Sequence, residues 1–154
     1  MTEGAVTSRL AAAGLDLPAP AAAVGSYIPA VRSGDLVFTS GQLPFRNGEM
    51  LATGLVPTDV KPEQAAGCAA QSALNALAAA STVCDLDRVE RVVKLVGYVA
   101  SAPGFGGQPG VINGASEVLR TAFGEAGVHA REAVGVAALP LDAPVEVSIV
   151  LQVR

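Results

Sequence analysis

Aromatic side chains are scarce in this chain. Of its 154 residues none is tryptophan, and phenylalanine and tyrosine together supply 4%. A core made without them must rely on small and medium aliphatic groups packed closely. Histidine occurs once, at His129, and cysteine twice, at Cys68 and Cys84. These three residues stand at none of the spacings of a usual zinc site, so no metal is expected. Two thiols in such a chain read as free rather than bridged. No Gly-x-Ser-x-Gly elbow is present to pair with the single histidine, which argues against a Ser-His-Asp triad and leaves His129 as a loop histidine. The glycine-rich stretch Gly104 to Gly110 lacks the Gly-Lys-Ser/Thr of a phosphate loop. Lysine and arginine number 10 against 14 acidic residues, giving a net charge of −4, and no basic run occurs. Nucleic acid, which needs a basic face to replace its counterions, is therefore not an expected partner. No segment reaches the ~18 uninterrupted apolar residues of a membrane span. Met1 to Leu10 includes Glu3 and Arg9 and has no apolar core of a signal peptide, so the cytoplasm is the expected location.

What the chain does have is aliphatic bulk. Hydrophobic residues make up 51%, and the mean hydropathy is +0.45. That is high for a soluble monomer and suggests apolar surface turned toward a partner subunit. The length suits one domain. An Ala-rich start reads as a short helix followed by a proline-stiffened lead-in. Ser26 to Pro44 reads as a hairpin turning at Ser33-Gly34-Asp35, its second strand Leu36 to Gly41. Asn47-Gly48 marks a second tight turn, with a short strand around Met50 to Thr53. Lys61 to Ser81 is the clearest helix, with Asp59 as candidate cap and Pro62 in the first turn. Ala65, Ala69, Ser72, Ala76 and Ala80 give it a smooth face for a sheet. Val89 to Ala100 reads as a strand buried on both faces. Ser101 to Gly110 reads as a loop, and Val111 to Ala126 as a second helix stopped by Gly127. Two strands follow, Glu132 to Ala138 and Val145 to Val153. In the last, Val145, Val147, Ile149, Leu151 and Val153 share one face. The order is that of an α+β layer, two helices on one face of a mixed sheet. The other face lacks a cover, and self-association is the simplest one.

Two ionisable residues stand out in these strands. Glu146 lies in an apolar strand, where a carboxylate is costly unless exposed, paired or functional. Arg131 opens a strand of small and apolar residues, either as a solvated strand end or as a planar fork for a carboxylate.

Four segments, in order, resemble the RidA/YjgF family: Val24-Gly25-Ser26-Tyr27; Leu36 to Pro44 (LVFTSGQLP); Asn113; and Ala130 to Pro140 followed by Val145-Glu146-Val147. The last, an arginine strand, Leu-Pro and a glutamate strand, is the most specific. The resemblance implies a chorismate-mutase-like subunit, with residues 1–154 as one domain and 1–23 as an N-terminal extension. It implies a homotrimer with clefts between subunits, and hydrolysis of amino-acid-derived enamines and imines to 2-keto acids and ammonia without a cofactor. Arg131 would hold the substrate carboxylate, and Glu146 would orient or deprotonate water. Tyr27, Ser40, Gly41, Asn113 and Ala133 would line the cleft. Typical active members carry a cysteine where this chain has Ala133, and proline where it has Ser26. A trimer that binds small carboxylates or keto acids without turnover is the alternative. An endoribonuclease or translation inhibitor, a label some relatives carry, comes third.

Overall fold

The computed structural model describes residues 4–22 and 25–154; Val24, in the first of the four matching segments, lies outside them. The elements in order are α1 (Ala5–Ala12), β1 (Ala30–Ser33), β2 (Leu36–Thr39), β3 (Phe45–Arg46), β4 (Glu49–Met50), α2 (Pro62–Ala80), β5 (Val89–Ala100), α3 (Gln108–Phe123), β6 (Ala130–Val136) and β7 (Val145–Val153). Strands β1, β2, β7, β5 and β6 form one mixed sheet in that order, and β3 pairs with β4 in a separate hairpin. Only β5 and β6 run parallel, joined through α3. The fold class is α+β, as the sequence indicates.

Strand β7 sits in the middle and shows why the layers form. Its residues alternate strictly between buried and half-buried. Val145, Val147, Ile149, Leu151 and Val153 face α2 and α3 and are almost fully buried. Leu95 and Val99 of β5 and Val37 of β2 stand opposite members of that set and complete the dry face. Above it, Ala65, Ala69, Ser72, Ala76 and Ala80 of α2 are all at zero exposure. Small side chains also let α2 and α3 meet backbone to backbone. At Gly114 of α3, any Cβ would overlap the Ala66 carbonyl of α2.

Several local expectations shift. The structure has a third α-helix in the packing, since α1 lies against α3 and buries Val6 and Leu10. The Asp87 carboxylate accepts the Ala5 and Val6 N–H groups at 3.0 and 2.9 Å, closing the first turn of α1 from a distant part of the chain. Helix α3 starts at Gln108, inside the expected loop, because Pro109 suits a first turn as Pro62 does in α2. It ends at Gly124, which takes φ +60°, and the expected stop Gly127 closes the short 3-10 turn that follows. Asp59 does not cap α2; its carboxylate accepts the Leu55 N–H at 2.9 Å instead. Strand β5 is dry on its helix face only, and Val96 and Tyr98 on the other face are half-buried, because no element among the described residues covers that side.

The uncovered face mixes polar groups with large exposed apolar ones. Val31, Phe38 and Val134 lie on it at 47%, 40% and 41% exposure. A patch of large apolar groups on one sheet face is the usual mark of an interaction surface. Among the described residues no helix is long and apolar enough to cross a membrane, and Cys68 and Cys84 are free thiols.

The contact at Gly114 sets a measurable limit. Gly114→Ala gains helix propensity but forces backbone against backbone, and overpacking of this kind costs about 1–3 kcal/mol. Urea unfolding should show a net loss of that order, whereas Gly67→Ala, with open space around its Cα, should hold or gain stability.

Candidate active site

Glu146 is the second residue of β7, and the alternation of that strand turns it to the uncovered face, directly across from Tyr98 of β5. The chain after β2 reaches it as well. Phe38 pairs with Val150, and Gln42 with Val147, so Thr39, Ser40 and Gly41 oppose only two residues of β7. This is a bulge. Gln42 and Val147 exchange backbone hydrogen bonds of 2.8 and 3.0 Å, and Ile149 N–H donates to the Thr39 hydroxyl at 3.0 Å. The bulge lays Gly41 under the glutamate: a Cβ there would stand 2.8 Å from the Glu146 carboxyl carbon. A side chain at 41 would therefore push the Glu146 carboxyl group out of its present place. Among the described residues no donor or cation reaches the Glu146 carboxylate, and burial pushes its pKa up from the ordinary glutamate value.

Ser40 ties the neighbouring segment in place. Its N–H donates to Pro29 O at 2.8 Å and its hydroxyl to Ile28 O at 2.7 Å. Tyr27, just before, is 54% exposed. Glu146 and Gly41 are thus in contact, and Ser40 beside them ties in the segment that follows Tyr27.

Arg131 belongs to a separate cluster. It is the second residue of the edge strand β6, paired in register with Leu95, and so faces the helices. Its Nη1 donates to Asn113 Oδ1 at 2.7 Å and to Ser116 Oγ at 3.2 Å. Both acceptors project from α3, one turn apart. With Nη1 occupied, Nε and Nη2 retain a side-on fork that matches a carboxylate. Ala133 follows on the same face, half-buried against the core. At Gly135, one pair further, a Cβ would meet Gln108 Nε2 at 2.7 Å. A shallow groove beside Arg131 is walled by Asn113, Ser116, Glu117, Arg120 and His129.

The sequence marks Asn113 as a cleft residue, and the structure gives it a definite task, holding the arginine. Ser116, Gln108 and His129 were not marked. Ser116 could have been noticed from its i, i+3 spacing to Asn113 on one helix face. His129 lies in the expected loop, yet both ring nitrogens are engaged: Nδ1 with Gly127 O at 2.6 Å and Nε2 with Ser116 Oγ at 3.0 Å.

The two clusters do not share a cleft within one chain. Arg131 aligns with Leu95 and through it with Ile149, on the helix face. Glu146 aligns with Tyr98 and through it with Val134, on the uncovered face. Strand pleating keeps these sets on opposite sides of the sheet.

The raised pKa of Glu146 has a consequence for stability. The folded chain holds this proton more tightly than the unfolded chain does, so ionisation favours unfolding. The effect is absent below the ordinary glutamate pKa of ~4.3 and grows as pH rises from there toward the folded value. Glu146→Gln should accordingly melt higher than wild type near neutral pH, with the gap closing below about pH 4. Thermal melts across that range test it, and an equal or lower melting point for the glutamine variant at neutral pH contradicts the burial cost.

Known proteins share this architecture. The family described as "YjgF/chorismate mutase-like, putative endoribonuclease" matches residues 7–152. Protein TCP17 of Trypanosoma cruzi is 39% identical over 156 residues, covering 100% of this chain and 98% of that protein. Atu1372 from Agrobacterium tumefaciens, a crystal structure of unknown function, is 43% identical with a TM-score of 0.89, covering 97% of this chain and 92% of that one. TdcF from E. coli, crystallised with bound serine, is 30% identical with a TM-score of 0.57, covering 88% of this chain and 93% of that one. By sequence over nearly its whole length and by its chorismate-mutase-like fold, the chain belongs to the RidA/YjgF family.

Proposed function

We propose that this protein hydrolyses amino-acid-derived enamines, through their imine tautomers, to 2-keto acids and ammonia, in clefts formed between copies of the chain. The observation that carries the reading is the split site: among the described residues, a guanidinium held with a free fork on one sheet face, and an unpaired, half-buried carboxylate on the other. Neither group completes a site by itself. A head-to-tail ring, here a homotrimer, repeats one heterologous contact and sets the Arg131 side of each copy against the Glu146 side of the next. The exposed apolar groups of the uncovered face, Val31, Phe38 and Val134, support such an assembly.

The chemistry follows from the groups. The substrate is a 2-imino acid, carrying a carboxylate beside a C=N bond. Arg131 takes the carboxylate by two charge-assisted hydrogen bonds, each worth ~1.5–3 kcal/mol. Glu146 accepts a proton from water as the oxygen adds to the imine carbon. Glu146 hands that proton to nitrogen to complete the carbinolamine, which has one C–O and one C–N single bond. It then moves the hydroxyl proton to nitrogen as the C–N bond breaks and the C=O bond forms, so that the imine hydrogen and both water hydrogens leave as ammonia beside the keto acid. Tyr27 and the Gly41 backbone line the glutamate side. Ala133, where many members carry cysteine, leaves room beside the arginine.

The serine bound by TdcF supports an amino-acid carboxylate as the group recognised in this fold. RNA fits less well: a net charge of −4 without a basic run favours a small anion held by one arginine over a polyanion held by many.

The test is keto acid release from enamines generated in situ by a threonine or serine dehydratase. Wild type should accelerate release. Arg131→Ala and Glu146→Gln should each lose about 10²–10⁴-fold. Mixing the two inactive variants with subunit exchange should restore about a quarter of the activity, since a quarter of the clefts then pair an intact Arg131 with an intact Glu146. No recovery, with exchange confirmed by mass spectrometry, overturns the shared cleft. A wild type that accelerates nothing but binds 2-keto acids through Arg131 replaces the deaminase with a small-carboxylate binder.

A further inference from the structure

We propose that Ser116 and His129 are positioning residues for the substrate carboxylate, acting through Arg131. The proposal rests on the deaminase reading, and it concerns a histidine that neither the sequence pattern nor the hydrolytic chemistry calls upon.

The argument is one of hydrogen-bond direction. Arg131 Nη1 can only donate, so Ser116 Oγ must receive it with a lone pair. A serine hydroxyl is a rotor, however, and facing the arginine with a lone pair still leaves its own proton without a fixed acceptor. His129 supplies one. Its Nδ1 meets the Gly127 carbonyl at 2.6 Å, and a carbonyl can only accept, so Nδ1 carries the ring proton. In the neutral imidazole Nε2 is then bare and accepts the Ser116 hydroxyl proton across 3.0 Å. With its proton committed to His129, Ser116 turns its lone pairs to Arg131. The relay therefore runs in one direction: Arg131 N–H to Ser116, Ser116 O–H to His129, His129 N–H to Gly127.

The far end of this relay is fixed by packing. Gly127 is buried, and a Cβ on it would overlap the Leu119 carbonyl of α3. The carbonyl that sets the tautomer is thus held against the helix that carries Ser116. Asn113 fixes the other hydrogen of Nη1. Between them the guanidinium plane is determined, and the Nε/Nη2 fork is presented in one orientation. A carboxylate then binds without first ordering the arginine, and preorganisation of this kind appears as affinity.

A bland alternative exists for the same contacts: the Ser116–His129 bond could simply fasten the 124–129 turn to α3. The two roles differ in what they move. A fastening contact lowers the melting temperature and leaves KM alone. A positioning relay raises KM, leaves kcat close to wild type and depends on an acceptor at the Nε2 position.

The experiment measures kcat, KM and melting temperature for Ser116→Ala, His129→Phe, the double variant and His129→Gln. The first two should each raise KM about tenfold with little change in kcat, as expected for loss of one hydrogen bond that orders a charged group. The double variant should be no worse than either single one, because both break the same relay. His129→Gln, whose Oε1 can stand where Nε2 does, should recover most of the affinity. Unchanged KM in His129→Phe and Ser116→Ala, whatever their melting temperatures, overturns the proposal. A readout without substrate keeps it independent of the deaminase reading. In ¹⁵N spectra the Arg131 Nη protons should show hindered rotation in wild type and His129→Gln, and averaging in His129→Phe. If wild type turns over no imine, the deaminase reading fails; equal Nη exchange in wild type and His129→Phe would then overturn the relay as well.

Discussion

A five-stranded sheet with helices on one side only is the constraint from which the rest follows. Strand β7 lies at its centre, and its pleat sends alternate residues to opposite sides. On one side five aliphatic residues meet alanine-lined helices. On the other stand Glu146, Ser148, Val150 and Gln152, half-buried and without a covering layer. The scarcity of aromatic residues suits this arrangement. Where α3 approaches α2 as closely as Gly114 approaches Ala66, a large ring has no room.

The same constraint divides the chemistry. A charge on the helix face must be at an edge, and Arg131 is on the edge strand, where α3 supplies Asn113 and Ser116 as acceptors. A carboxylate in the central strand can face only the uncovered side. There Gly41 gives it space and no cation meets it among the described residues. Its proton is held more tightly than in an ordinary glutamate because burial penalises the charge. The arrangement costs stability in the chain alone and becomes intelligible as one half of a site. Its polar groups are costly and its apolar surroundings are exposed, and the proposed packing against a second copy of the chain would relieve both.

Support for these groups comes from backbone devices of modest size. A bulge at Thr39 to Gly41 brings glycine under the glutamate. A 3-10 turn at Gly124–Gly127 delivers a carbonyl to His129. Each contains a glycine where a side chain would intrude, on the glutamate itself at Gly41 and on the Leu119 carbonyl at Gly127.

Much of this is legible in the residues themselves. The alternation of Val145 to Val153 gives that strand its bounds and dry face, and the alanine spacing from Ala65 to Ala80 gives the helix that covers it, because periodicity is a local property. Asn47-Gly48 gives a turn for the same reason, and the residues have φ +52° and +80°. Helix ends are less legible. Pro109 and Gly124 outweigh the glycines on which the expected bounds were placed, since several residues could each serve and only packing selects one. Arg131, Glu146, Gly41 and Asn113 are identifiable from the sequence as residues of interest. What the sequence does not determine is which of them stand together. That depends on strand order and register, through which Arg131 aligns with Leu95 and Glu146 with Tyr98. The engagement of His129 with Ser116 is likewise a tertiary decision: 13 residues separate them in the chain, and only the return of β6 alongside α3 brings the imidazole to the hydroxyl.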